Sequence, residues 1–273
     1  MSRLRRWTAR ACGVALLAFF VLPILVAVVG SLRPEARLFE GAALLPRELV
    51  LDHYLALFRE RDFATPIVNS LVVAAATTAL CVPIGALCAY AAARMRFVGR
   101  VPLLAFVLAM TMFPQISIVS PLFVLLRALG LMDTRSGLVL PYLTFAMPLT
   151  VWLLVGFFRA LPADLEEAAM VDGASRVRAL VEVVLPVAWP GLATTAILTF
   201  LYCWNEFLFA LSFTVGAEHR TVPVAIALFR GQHQVPWGQI LAGAVVATAP
   251  VVAVVVLLQR RIVRGLTGGA VKG

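Results

Sequence analysis

Asn205 and Glu206 place an amide beside a carboxylate in an otherwise apolar run. Asn69, Gln115, Tyr142, Thr144 and Trp204 occur in similar stretches of Val, Ala, Leu and Phe. Amides and hydroxyls can bond the hydroxyls of a sugar, and an aromatic face such as that of Trp204 suits its C–H surface. A carboxylate in so apolar a setting is costly, so Glu206 is expected to face a cavity or a partner helix. For Asn69 or Thr144 alone, a helix–helix hydrogen bond is an equal alternative. A second constellation differs in kind. The stretch "LEEAAMVDGASRVRALVEVVLP", Leu165–Pro186, gathers Glu166, Glu167, Asp172, Arg176, Arg178 and Glu182 around Gly173.

Other chemistries lack their residues. A phosphate-binding P-loop ends in Gly-Lys-Ser/Thr, whereas the only lysine, Lys272, is followed by Gly273. His53, His219 and His233 share no metal-ligand spacing, and no Gly-x-Ser-x-Gly elbow occurs. Cys12, Cys81, Cys88 and Cys203 fall within or at the ends of apolar stretches and read as packing residues, not a disulfide framework. Ion-coupled transport usually needs several buried ionisable groups, and only Glu206 is on offer. Uphill movement of a solute would therefore draw on another subunit. A stand-alone channel or a membrane enzyme is the alternative from another class.

The scaffold follows from composition. The chain is 62% hydrophobic, with a mean hydropathy of +0.97 and 14% charged residues, against about 25% charged in soluble domains. Apolar runs of about 20 residues, enough to cross a bilayer as helices, recur at Cys12–Ser31, Ala64–Ala93, Val101–Leu126, Gly137–Phe158, Trp189–Phe213 and Gln239–Leu258. The expectation is an all-α polytopic membrane protein: six transmembrane helices, one domain over 1–273, both termini cytoplasmic. With that orientation the inner segments net +9 and the outer ones +1, as the positive-inside rule requires. The basic excess thus reflects topology, and nucleic-acid binding is not expected. The first apolar run, about 19 residues, exceeds a signal-peptide core and reads as a retained signal anchor. Leu51–Phe58 reads as a short amphipathic helix on the membrane surface. Gln115, Asn205 and Glu206 fall at similar depth, towards the outer side.

The charged segment then lies inside, over about residues 160–188. Asp164 and Glu167 fit a capping box, and the first helix stops at Gly173, expected at φ > 0. Ala174, Val177, Leu180, Val181 and Val184 form the apolar stripe of a second helix, which Pro186 ends before the fifth span. The first helix, about nine residues long, is too short to persist unaided and needs a surface to dock on.

Glu167-Ala168-Ala169, then Gly173, then Val183-Val184-Leu185-Pro186 resembles the EAA loop of ABC-importer permeases. The one departure is Val183, where isoleucine is common in that family. "MFPQISIVSPLF" (Met112–Phe123), "WNEFLFAL" (Trp204–Leu211) and the terminal "GLTGGAVKG" are similar to carbohydrate-uptake permeases of the maltose and trehalose type. The resemblance implies a type I ABC-importer permease fold and a multi-pass place in a bacterial cytoplasmic membrane. It implies a second homologous permease subunit, two ATPase subunits that bind ATP and magnesium, and an extracytoplasmic sugar-binding protein. This chain would hold no cofactor and catalyse nothing. Glu166, Glu167, Ala168, Ala169, Asp172 and Gly173 would form the helix that couples to the ATPase. Asn69, Gln115, Tyr142, Thr144, Trp204, Asn205 and Glu206 would lie on the substrate path. Importers of polyols or glycerol-phosphate-like solutes are the nearest alternative.

Overall fold

The computed structural model describes residues 3–39, 48–229 and 235–268. The tail carrying Lys272, the end of "GLTGGAVKG" and His233 lie outside them. Helices account for the regular structure, and no strand occurs among the described residues. In order they are α1 (Arg3–Ser31), α2 (Asp52–Arg59), α3 (Ala64–Arg94), α4 (Arg100–Thr111), α5 (Val119–Ala128), α6 (Arg135–Ala160), α7 (Asp164–Val171), α8 (Arg176–Ala179), α9 (Leu185–Trp204), α10 (Leu208–Phe213), α11 (Val222–Ala227) and α12 (Trp237–Gly268). Five of these runs are long and apolar enough to cross a membrane: within α1, α3, α6, the α8–α9 run and α12. A sixth crossing would be a bent pair, α4 and the Gln115–Ala128 segment, at 96°.

The sequence expectation of six continuous spans needs two corrections. The third span breaks at Pro114, whose extended backbone (ψ 116°) ends the helix before a single 3-10 turn, Gln115–Ile118. Proline supplies no N–H and crowds the preceding turn. The fifth span ends at Trp204, and a separate short helix, α10, restarts at Leu208. Side chains satisfy the backbone groups freed there. The Asn205 amide donates to the Leu201 carbonyl at 2.7 Å, and the Glu206 carboxylate accepts from the N–H groups of Phe209 and Ala210 at 2.8 and 3.1 Å. A helix break at membrane depth is tolerated when its polar groups are met in this way.

Pro186 does not end the second helix of the charged segment, as the sequence suggested. A wide π turn, Leu180–Val184, joins α8 to α9 as one rod. Pro186 itself falls in the first turn of α9.

The described residues pack as two units, those within 1–65 and 225–250, and those within 66–224 and 251–268. In the first, the Glu35 carboxylate caps α12 by accepting from Trp237 and Gly238 N–H at 2.8 and 2.9 Å. Arg61 lies over the Phe229 ring and donates to Gln239. The most apolar stretch of α1 has no buried residue within this chain, and among the described residues of the helix only its end, Gly30 and Ser31, is buried. In the second unit, α3, α6 and α9 enclose two apolar clusters, one around Tyr142, Phe145 and Phe209 and the other around Tyr90, Leu154 and Phe158. Small residues permit the close approach between helices. Gly85 faces Thr150, and Gly191 faces Phe157.

At the N-terminal end of α6, Asp133 adopts φ 54° and fastens the chain after α10. Its carboxylate accepts from Val215 N–H at 2.9 Å and Gly216 N–H at 3.1 Å, with His219 Nδ1 at 3.5 Å. Partial burial opposes ionisation, but these donors outweigh it and hold the carboxyl below its ordinary value. A depressed carboxyl stabilises the fold above the unfolded value, about 3.9, and the contribution is lost as pH falls through the folded one. Asp133→Ala is expected to lower the hydrogen-exchange protection of the Val215 and Gly216 amides by about tenfold. In the wild type the same protection should fade only below about pH 4. Equal protection in the variant at neutral pH would contradict this role.

Candidate functional site

Two cavities of the second unit collect some of the residues singled out in the sequence: Gln115, Asn205 and Glu206 in one, Glu166 and Glu167 in the other. The first, about 640 Å³, is lined by Gln115, Tyr202, Asn205 and Glu206 among leucines and Phe207. Both breaks build it. Gln115 opens the 3-10 turn after Pro114, and Asn205 and Glu206 occupy the gap between α9 and α10. Gln115 donates to the Tyr202 hydroxyl at 2.7 Å, and Asn205 to Leu201 O. Each amide therefore keeps a carbonyl oxygen without a protein partner among the described residues, next to an apolar wall. Glu206 is buried and already spends both oxygens on the α10 backbone. Among the described residues, no Arg or Lys lines this cavity.

The other residues expected on a substrate path sit elsewhere. Asn69 is fully buried and pins the chain before α11. It donates to the carbonyls of Glu218 and Arg220, both at 2.8 Å, and accepts from Arg135 Nε at 2.7 Å. Tyr142 lies in the core, its hydroxyl turned towards Glu206 and Thr221 without a hydrogen bond of ordinary geometry. Thr144 is exposed on α6 and bonds only the Leu140 carbonyl of its own helix. Trp204 is buried and stacks on Phe200 at 6.0 Å. Sequence reasoning could not assign the face these residues present, which for Asn69 and Tyr142 is decided by neighbours far along the chain. It missed Tyr202, an aromatic hydroxyl one helical turn before Glu206.

The second cavity, about 720 Å³, opens beside α7 at the C-terminal end of α6, and Arg94, Arg96, Arg100, Arg176, Glu166 and Glu167 supply its charge. Here too the structure amends the reading. Asp164 caps nothing: the cap position is Ala163, and no side chain bonds the first turn. The side-chain cap lies one element on, where Ser175 accepts from Arg178 N–H. Gly173 follows α7 at φ 89°, the left-handed geometry expected of it. Glu166 is not offered outward with Glu167, Ala168 and Asp172. Only 5% exposed, it accepts a hydrogen bond from the Tyr90 hydroxyl and lies 3.8 Å from Arg94 Nε and 3.9 Å from Arg176 Nη1. Successive residues turn by about 100°, so Ala168 and Val171 face the opposite way. Val171, which the sequence reading passed over, and Val177, which it placed in the apolar stripe of the second helix, are 86% and 70% exposed and add an apolar tip. The arrangement is a short helix anchored by its inner face, with a small and apolar outer face bordered by Glu167 and Asp172.

Comparison with known proteins gives concordant matches. Residues 81–268 match the family described as binding-protein-dependent transport system inner membrane component. A trehalose transport system permease protein of Mycobacterium tuberculosis is 47% identical over 257 residues, 93% of each chain. A trehalose/maltose transport system permease protein of Thermococcus litoralis is 42% identical over 265 residues, 96% of this chain and 95% of the relative. A bacterial ABC transporter that imports the acidic polysaccharide alginate contains a chain of the same fold, with TM-score 0.75 and 24% identity. That match covers 95% of this chain and 98% of the other.

Proposed function

The chain belongs to the family of binding-protein-dependent transport system inner membrane components, and from that premise we propose a specific division of labour for it. It is a permease subunit of an ABC importer for carbohydrate, in the inner membrane. Its α7 end faces the cytoplasm, where it docks on an ATPase subunit that binds ATP and magnesium. Its own residues catalyse no reaction. A second permease subunit covers the apolar surface that α1 leaves open, two ATPases complete the machine, and an extracytoplasmic binding protein delivers the sugar. The cargo is a neutral disaccharide or small oligosaccharide of the trehalose or maltose kind.

The observation that carries this reading is the cavity at the two helix breaks. Its free amide oxygens can accept from sugar hydroxyls, its leucines and Phe207 suit the C–H faces, and among the described residues it holds no cation for a phosphate or carboxylate. The test is uptake by vesicles holding the complete transporter with its binding protein. Gln115→Ala and Asn205→Ala should each lower uptake about tenfold, the scale of one lost polar contact. ATPase co-purification should stay unchanged. Wild-type uptake in both variants would remove the cavity from the path.

A further inference from the structure

We propose that Glu166 is a positioning residue of the transport cycle: its buried carboxylate fastens the docking helix α7 to α3, so that α3 as well as α9 carries the ATPase's movement across the membrane. The proposal deepens, and rests on, the assignment of α7 as the dock.

α7 has a continuous covalent route to α9 through Gly173, α8 and the π turn. Glu166 supplies a second route through space. The Tyr90 hydroxyl donates to its Oε1, and Arg94, one turn further along the same helix, places Nε 3.8 Å from Oε2. Arg94 also donates through Nη2 to the carbonyl of Leu161, just before α7, at 2.8 Å. Tyr90 and Arg94 thus grip both the start of the dock and its inner face. Arg176 reaches the same carboxylate from α8 at 3.9 Å, so one buried group ties α7, α3 and the foot of α9 together. Such a tie differs from a surface ion pair. The Glu166 side chain is 6% exposed and that of Arg94 12%, whereas the nearby Arg178–Glu182 pair is more than half exposed on both sides. Exposed pairs contribute little, but a buried charge that loses its partners is strongly disfavoured.

The far end of α3 gives the tie a destination. Asn69 and Ser70 hold the chain entering α11: Asn69 bonds the carbonyls of Glu218 and Arg220, and Ser70 Oγ accepts from Val222 N–H at 2.8 Å. From Asn69 to Tyr90 the helix spans about 32 Å at 1.5 Å per residue. One helix is therefore gripped at the dock by Glu166 and at the opposite end by the segment Glu218–Val222, which is exposed at Glu218 and buried at Thr221 and Val222. A load on that segment reaches the dock without passing through α9, and the coupling is reciprocal.

The experiment uses the complete transporter in vesicles with its sugar-loaded binding protein, and reads sugar moved per ATP hydrolysed. Glu166→Gln keeps the shape of the side chain and an acceptor for Tyr90 but removes the charge that Arg94 and Arg176 share. It should leave ATPase co-purification and basal hydrolysis near wild type. Sugar moved per ATP should fall about tenfold, the upper range for one position in a coupling network, and stimulation by loaded binding protein should fall with it. Tyr90→Phe should move the ratio in the same direction, and the double variant should be little worse than Glu166→Gln, because both cut one tie. A purely structural role would lower the amount of folded protein and leave the ratio unchanged, and that result would overturn the proposal. Loss of ATPase co-purification in Glu166→Gln would also overturn it, by making Glu166 a docking contact. If Glu166→Gln fails to accumulate, Tyr90→Phe decides alone, an unchanged ratio counting against the tie. Ala168→Trp, on the outer face, reports the dock itself: full ATPase association and uptake there would overturn the docking assignment and this inference with it.

Discussion

Ala168→Trp is expected to abolish coupled uptake, by about a hundredfold or more, the scale of a lost central interface position, and to release the ATPase on purification. Ala168 lies on the face of α7 opposite the buried Glu166, between Glu167 and the exposed Val171. A helix of eight residues does not hold itself together in water. Its inner face is tied by Glu166, so its outer face has to find its partner in another subunit. A small side chain at the centre of that face permits close approach, and an indole there holds the surfaces apart. Val171→Asp tests the same surface without adding bulk, since burying an unpaired carboxylate in an apolar contact is disfavoured. Both variants should insert in the membrane and keep sugar capture by the binding protein, because neither residue touches the core of the second unit. The measurements are ATPase co-purification and sugar-stimulated hydrolysis in vesicles. Normal association and uptake in both variants would mean that α7 docks on nothing.

How much of this site was legible follows from where its determinants lie along the chain. The existence of α7, its stop at Gly173 with φ 89° and its small outer residue Ala168 are local matters, set by residues within one or two turns. The direction of Glu166 is not local. Two adjacent glutamates read alike, and only Tyr90 and Arg94, more than 70 positions away, turn one of them inward. The caps show the same limit on a shorter scale: Asp164 and Glu167 have the spacing of a capping box, yet the backbone enters α7 already helical at Ala163, which leaves no cap geometry to fill.

The membrane part divides in the same way. Hydropathy located the crossings, but it is blind to breaks that stay apolar. Pro83, Pro141, Pro148 and Pro250 remain inside continuous helices, whereas Pro114 ends one. A proline costs one hydrogen bond in every case, and whether the chain then turns depends on what the next segment can pack against. The gap at Asn205 has no proline at all. It exists because an amide and a carboxylate, side by side, meet the backbone groups that the break frees. The residues noticed for their polarity therefore turn out to shape the cavity as well as line it.

The second large effect is expected where α6 and α9 meet. A β-carbon on Gly191 would stand 2.6 Å from Phe157 Cγ and 3.1 Å from its Cβ. Those atoms lie close to the α6 backbone and cannot swing aside as a flexible chain end could. Gly191→Val must therefore push α9 off α6 or force Phe157 out of its rotamer. Overpacking of this kind costs about 1–3 kcal/mol, and the branched side chain places the variant at the upper end. The predicted outcome is a marked loss of membrane accumulation and a lower melting temperature in detergent, with Gly191→Ala intermediate. The cause can be separated from the loss of a flexible glycine beside Pro190. Phe157→Ala on its own empties space and should destabilise mildly. Combined with Gly191→Val it should restore much of the stability, a non-additivity that only direct contact produces. Additive losses in the double variant would show that Phe157 is not what Gly191 makes room for. Recovery would place the cost in the contact that carries α9, and with it Asn205 and Glu206, against the core of the permease.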